Sequence, residues 1–307
     1  MTQILVIGEA IADFLPRDRD GRVFDCVLGG SGFNTTLALA RLDLDPRYVA
    51  TLSTDGLGQR FRAALGAERA DLSGLASSDR PTPVAIVNPA GTSHGAMFAL
   101  HLTGTAHEHA GNMPSRMPPG VTHVHAASFA ATVGAAASAS LALLADAKAS
   151  ATSSYDPNIR AACLPPHGEA LALIEARVAA STIAKASQED LSWLYPGLAP
   201  DQALERWLAL GARIAIVTRG ERGSVALTAQ GFVEAAGKRA AVVDTVGAGD
   251  TFTAAFLAAM ARDGALGRPD HVAPAEQLSR WLGFANRAAA ITCTRPGCDP
   301  PRQAELV

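Results

Sequence analysis

Cysteine is scarce in this 307-residue chain: Cys26, Cys163, Cys293 and Cys298 are the four, and no C-x-x-C pair occurs. A secreted disulfide framework needs more of them at closer spacing, so four reduced thiols are expected. Charge of one sign is missing too. The formal net charge is −3, with no basic stripe and interleaved aromatics, which argues against a nucleic-acid partner. Long apolar runs are absent. The first, residues 4–7, follows no basic segment, and later ones are Ala-rich and broken by Gly, Ser and Asp, so neither a signal peptide nor a membrane span is expected and the cytoplasm is the expected location. There is no G-x-x-x-x-G-K-[ST], which excludes a P-loop. Phe61 stands where a dinucleotide fingerprint starting at Gly56 would need its third glycine, and Phe33 breaks a G-x-S-x-G elbow around Ser31.

What is present is an ordinary globular composition, 48% hydrophobic and 18% charged, with alternating element signals. Residues 3–8 (QILVIG) read as a buried strand, 34–42 (NTTLALARL) as a helix, 46–53 as a strand, and 61–65 as the start of a second helix. Past Pro119 the alternation resumes. Strands are expected at 121–128, 151–156, 181–186 and 213–219, and helices at 133–149, 169–180, 201–210, 251–261 and 279–292. This is the pattern of parallel βαβ units. PVAIV and AMFALHL, around the turn NPAGTSHG, instead predict a hairpin inside an α/β chain, a candidate lid. One domain over 1–307, with a discontinuous β lid from about 10–30 and 81–104, is the simplest organisation.

Chemistry concentrates in residues 244–252, DTVGAGDTF, between the β-type run AAVV and the helix TFTAAFLAAMA. Gly247, Ala248 and Gly249 let the backbone turn tightly and aim N–H groups outward at a helix start, where the dipole also favours an anion. Asp250 follows, placed to accept a proton from a nucleophilic hydroxyl. Taken alone, G-A-G-D favours the plainer reading, glycines making a turn with Asp250 as the helix cap. A second segment, GGSGFN (29–34), can bring backbone and the Asn34 amide close to a polar ligand, or can be a glycine turn with Asn34 as the cap.

These segments, with GEAIADF, DPNIR and VTRGERGS in that order, resemble the PfkB/ribokinase family of carbohydrate kinases over essentially the whole chain. YDPNIR, KASQEDLSWL and the tail CTRPGCDPP are similar to its bacterial fructokinase-like branch. The resemblance implies a ribokinase-like three-layer α/β/α fold, with a mostly parallel sheet and a small β lid. It implies ATP-dependent transfer of a phosphoryl group to a sugar hydroxyl, D-fructose first, with a 2-keto-3-deoxygluconate kinase or another sugar or nucleoside kinase as the alternative. Asp250 is then the base and Gly247, Ala248 and Gly249 the anion hole. Asp13, Gly30, Ser31, Asn34, Phe98 and Arg160 fall on the sugar side. Ser187, Thr218, Gly220, Gly223, Asn286 and Ala289 fall on the nucleotide side, and Asp244 matches an acid that holds a monovalent cation such as potassium.

The departures matter as well. The family's Asn-x-x-Glu for magnesium and phosphate reads here as Ser187-Gln188-Glu189-Asp190, so Mg²⁺ is expected at Asp190 through water, with Glu189 as the alternative. The lid runs 83–86 and 96–102 carry no Lys or Arg, which argues against an acid sugar, whose carboxylate wants a cation; Arg160 is the one arginine placed near the sugar. The pairs His123/His125 and His107/His109 leave a zinc hydrolase as a rival enzymatic reading, and a non-catalytic sugar- or nucleotide-binding regulator is a third class. Open lid edges can pair with a second copy, so a homodimer is an expected partner besides sugar and ATP.

Overall fold

Along the first strand, β1 (Gln3–Ile7), side chains alternate between two separate cores. Ile4 and Val6 pack with one set of helices, and Leu5 and Ile7 with another. A strand buried on both faces has helices on both sides, and this computed structural model, which describes residues 3–18, 21–87, 98–109, 111 and 113–306, has that three-layer arrangement.

After β1 the chain forms β2 (Ile11–Pro16), β3 (Phe24–Gly29), helix α1 (Ser31–Arg41), β4 (Asp45–Ser53), α2 (Gly56–Ala67), β5 (Leu75–Ser78), β6 (Val84–Val87) and β7 (Phe98–His101). The middle holds β8 (Val121–Ala127), α3 (Ser128–Thr132), α4 (Ala137–Ser150), β9 (Thr152–Asp156), α5 (His167–Ala180), β10 (Ile183–Ser187), α6 (Gln188–Leu194) and α7 (Pro200–Leu210). The last third adds β11 (Ile214–Thr218), β12 (Ser224–Thr228), β13 (Gly231–Ala235), α8 (Ala248–Arg262) and α9 (Ala275–Thr292).

The main sheet runs β13-β12-β11-β10-β9-β8-β1-β4-β5, parallel from β11 to β5, with β12 and β13 an antiparallel hairpin on one edge. One core joins α1, α2, α8 and α9 to Ile4, Val6 and Ile216; the other joins α4 to α7 to Leu5, Ile7 and Val217. A separate small sheet, β3-β2-β6-β7, forms the lid. β2 leaves the end of β1 after three residues, so the lid stands over the carboxyl edge of the main sheet, where ligands of such sheets gather.

Several expectations shift. The lid hairpin forms through β6 and β7, paired Val84↔His101 to Val87↔Phe98; its turn, 88–97, lies outside the described residues, as does the Phe98 side chain. The helix expected at 133–149 begins at Ala137, and a short α3 precedes it. AAVV is not a strand, and Val242 and Val243 are exposed. Asn34 is not a cap: α1 starts three residues earlier, behind Gly30 at φ 98°. Close backbone packing explains that early start. A Cβ on Gly32 would lie 2.6 Å from the Gly8 carbonyl carbon, so α1 begins in contact with the end of β1. Among the described residues, no helix is long and apolar enough to cross a membrane.

Candidate active site

At the carboxyl end of the main sheet, two helix starts meet. α8 opens behind Gly247, whose left-handed φ of 74° and contact with Cys298 leave no room for a side chain; a Cβ there would lie 2.2 Å from the Cys298 sulfur. Asp250 falls in the first turn, buried, and makes no capping bond, so it is not the helix cap. Its Oδ2 accepts from Asn34 Nδ2 of α1 at 2.8 Å. The Ala248 amide reaches Thr245 O at 3.3 Å, while the amides of Gly247 and Gly249 have no protein acceptor among the described residues. Burial raises the Asp250 pKa above the usual carboxylate range; the Asn34 bond lowers it, the Asp156 charge raises it, and Lys185 and Arg160 lower it.

Asp13, on β2, faces the same place. A Cβ on Gly29 would lie 2.4 Å from its Oδ2, so the first glycine of GGSG makes room for this carboxylate. Burial moves the Asp13 pKa up to about 6, against the pull of Arg160. Arg160 is exposed and bonds Asn158 Oδ1 at 2.9 Å and Ile159 O at 3.0 Å, while its charge reaches both Asp13 and Asp250. Ser31 is tied in from two sides, its amide to Glu9 Oε1 at 2.9 Å and its hydroxyl to Asn158 Nδ2.

The nucleotide-side positions gather at the ends of β10 and β11, where Ser187 and Thr218 are register partners. Ser187 caps α6 in a reciprocal pair with Asp190. Asp190 Oδ2 accepts from Ser187 N and Oγ at 2.9 and 2.7 Å, and Oδ1 accepts from Ile159 N at 2.9 Å. Both oxygens are engaged by protein donors, so Asp190 would meet a metal through water and not as a bare carboxylate; Glu189 is exposed. Gly220 has open space beside it, whereas Gly223, at φ 86°, packs where a Cβ would lie 2.2 Å from Ala235 O. Asn286, on α9, donates to Ala235 O and Ala236 O, and Ala289 packs against the core. Asp244 accepts from Val246 N at 3.0 Å and Gly297 N at 2.9 Å, clasping the loop before α8 to the tail.

Three charged residues join the site without having been singled out. Glu9, between β1 and the lid, is buried with Oε2 unpartnered, and burial raises its pKa. It also lines a small pocket with Ala10, Thr51, Pro83, His107 and Ala130. Asp156, at the end of β9, and Lys185, in the middle of β10, form a buried ion pair at 2.6 Å. The sequence signals were a Glu in GEAIADF, the Asp of DPNIR, and a lone lysine inside an otherwise uncharged strand. The histidine pair His123/His125 bonds strand hydroxyls instead: His123 contacts Thr152 and Ser154 at 2.8 Å, and His125 contacts Ser154 at 2.7 Å.

The profile of the pfkB family carbohydrate kinases matches residues 1–305. The chain belongs to that family. A fructokinase from Rhizobium leguminosarum bv. trifolii is 32% identical over 281 residues, 90% of this chain and 85% of that one. A fructokinase from Klebsiella pneumoniae is 28% identical over 96% of this kinase and 94% of its own length. Among solved structures, a fructokinase from Vibrio cholerae O395 in a fructose-, ADP- and calcium-bound form superposes with a TM-score of 0.85 at 21% identity, covering 100% of this chain and 98% of that one. An aminoimidazole riboside kinase from Salmonella enterica gives 0.84 at 23%, covering 99% and 98%. At those identities the superpositions establish the ribokinase-like fold of this kinase.

Proposed function

We propose that this kinase is an ATP-dependent fructokinase with Asp250 as its base. The observation that carries the reading is the buried Asp250 carboxylate, steadied on one oxygen by Asn34 beside the unengaged amides of Gly247 and Gly249. The similarity to curated fructokinases supports fructose as the sugar.

The chemistry follows from the placement. Asn34 holds Oδ2, which leaves Oδ1 to take the proton of the attacking hydroxyl. The oxygen–phosphorus bond forms as the bond from the γ-phosphorus to the ADP oxygen breaks. Charge on the transferring group then falls at the start of α8, where free amides and the helix dipole favour it. The raised Asp250 pKa brings the base nearer to neutral pH, where general-base catalysis is most efficient. Asp13, with Gly30, Ser31 and Asn34, receives the sugar hydroxyls, and the lid covers them. ATP lies over β10 and β11, against Ser187, Thr218, Gly220, Gly223 and the α9 positions Asn286 and Ala289. Magnesium neutralises the phosphates when bound, and no protein cage for it is built around Asp190. A monovalent cation at Asp244 belongs to the same reading, since each of its oxygens accepts one amide and keeps a lone pair. β3 and β7 are the open edges through which two lids would pair in a homodimer, measurable by sedimentation.

One observation favours a second substrate. The charge of exposed Arg160 reaches both Asp13 and Asp250, where it would suit an acid sugar. Comparing kcat/KM for D-fructose, 2-keto-3-deoxygluconate, ribose and adenosine under identical Mg-ATP decides. Fructose is expected to lead. A keto-acid preference would overturn fructose and keep the sugar kinase; no turnover of any would overturn both.

A further inference from the structure

Strand β10 reads IAKAS, and its lysine is buried, with the side chain 8% exposed and that of its partner Asp156 4%. Lys185 Nζ donates to Asp156 Oδ2 at 2.6 Å and to Gly249 O at 3.2 Å. Gly249 is the residue before Asp250. It approaches so closely that a Cβ there would lie 3.1 Å from the ammonium. The pair therefore bridges two neighbouring strands, β9 and β10, to the first turn of α8.

Stability alone is a poor account of this pair. Desolvating two charges costs about as much as their attraction returns, and apolar replacements are often neutral or better. The surroundings also keep the ammonium's charge uncontested. His125 presents an unpartnered Nε2, and burial together with the Lys185 charge pushes its pKa down to about 3, so it stays neutral. Burial disfavours the charged lysine, yet Asp156 more than restores it.

We infer that Lys185 and Asp156 are positioning residues for Asp250: the ammonium holds the Gly249 carbonyl and the first turn of α8, and the two charges act on the Asp250 carboxylate with opposite signs. The inference rests on Asp250 being the base. Asp250 is faced by Asn34 from α1, Glu9 from beyond β1, Asp156 from β9, Lys185 from β10, Arg160 from the loop after β9, and the Cys298 thiol from the tail. Removing Lys185 alone exposes Asp250 to an unshielded anion and withdraws a cation, so the carboxyl should hold its proton to higher pH. Removing the Asp156 charge alone leaves the ammonium and should do the reverse.

The experiment uses Lys185→Met, Asp156→Asn and the double variant in the full chain. Two quantities are followed. One is the acid limb of the kcat/KM profile with fructose and Mg-ATP. The other is the Asp250 carboxyl titration by infrared difference against Asp250→Asn, without substrate. The expected result is an upward shift on the order of one pH unit for Lys185→Met and a downward shift for Asp156→Asn. The double variant should show a near wild-type limb, with kcat still down roughly tenfold because Gly249 O has lost its donor, and a fructose KM within about threefold. Shifts of the same sign, or none, overturn the inference. If a single variant does not fold, the double, which buries no unpaired charge, still decides: wild-type kcat there overturns the positioning role. If the wild type phosphorylates no sugar, the functional reading fails separately, and the infrared titration still tests the pair.

Discussion

The two ends of this site are built on opposite terms. On the sugar side, at β1, α1 and α8, buried polar atoms are left without protein partners, among them Glu9 Oε2 and Asn34 Oδ1, and burial raises the pKa of Glu9, Asp13 and Asp250. On the nucleotide side, at β10, α6 and α9, Asp190 accepts three bonds and Asn286 donates two, and the unpartnered atoms, Arg219 Nε and Ser224 Oγ, belong to no carboxylate or amide. An unpartnered buried group costs about 1–3 kcal/mol and persists where a ligand completes it, while a satisfied one shapes backbone. The difference suggests proton chemistry and hydroxyl recognition by side chains at one end, and recognition by backbone shape at the other.

The sharpest way to break that contrast is Asp250→Asn. It keeps the shape and removes the proton acceptor, so turnover should fall by roughly 10²-fold or more with ATP binding nearly intact. Steady-state kinetics and a binding titration check it. A rate near wild type would remove the base from the sugar side and the contrast with it.

Asp13→Ala comes next. Losing charge-assisted bonds to two hydroxyls should raise the fructose KM roughly ten- to a hundred-fold; a raised ATP KM instead would put Asp13 at the other end. The wild type should show the same dependence with pH. Hydroxyls need the ionised carboxylate as acceptor, so the fructose KM should rise as pH falls through about 6. Stability runs the other way. The folded pKa lies above the ordinary 3.8, so between 3.8 and about 6 the folded state binds more protons than the unfolded one, and stability falls as pH rises through that window. Asp13→Asn should therefore stabilise the fold at pH 7 by about 1–3 kcal/mol, measured by denaturant unfolding, and unchanged stability would show that Asp13 is not desolvated.

Asp190→Ala tests the satisfied end. It leaves the amides of Ile159 and Ser187 without their acceptor and removes the α6 cap, for a loss of about 1–2 kcal/mol. The kcat of folded protein should change less than about threefold. A collapse of kcat at wild-type stability would move Asp190 into phosphate or metal chemistry.

Much of this was legible beforehand, because the alternation of periodicities carries an α/β sheet and the helix-start glycines carry DTVGAGDTF. The small strands β2, β3, β12 and β13 were not assigned, since short antiparallel runs lack the flanking helices that mark βαβ units. Asn34 was misplaced by three residues because backbone contact between Gly8 and Gly32, not a capping side chain, sets where α1 starts. Glu9, from the link after β1, and Asp156 and Lys185, from β9 and β10, gather around Asp250, a juxtaposition that only strand order supplies. Asp190 matched a motif position, yet whether a carboxylate is free for a metal depends on the amide of Ile159, thirty-one residues away.

The smallest expected effect is at Asn286. Its Nδ2 donates to Ala235 O at 3.0 Å and Ala236 O at 3.2 Å, which fixes the end of β13 against α9. That segment also backs the turn at Gly223, whose missing side chain lets Ala235 O approach. Asn286→Ala removes two ordinary hydrogen bonds, one buried and one partly buried, each worth about 1 kcal/mol net, so the melting temperature should drop by roughly 2–4 °C. If the nucleotide end works through backbone shape, ATP affinity should weaken only as far as that turn loosens, with the ATP KM rising less than about threefold and the fructose KM unmoved. If the amide instead contacts the nucleotide directly, the ATP KM should rise tenfold or more with little change in melting, and the nucleotide end would then use side chains much as the sugar end does.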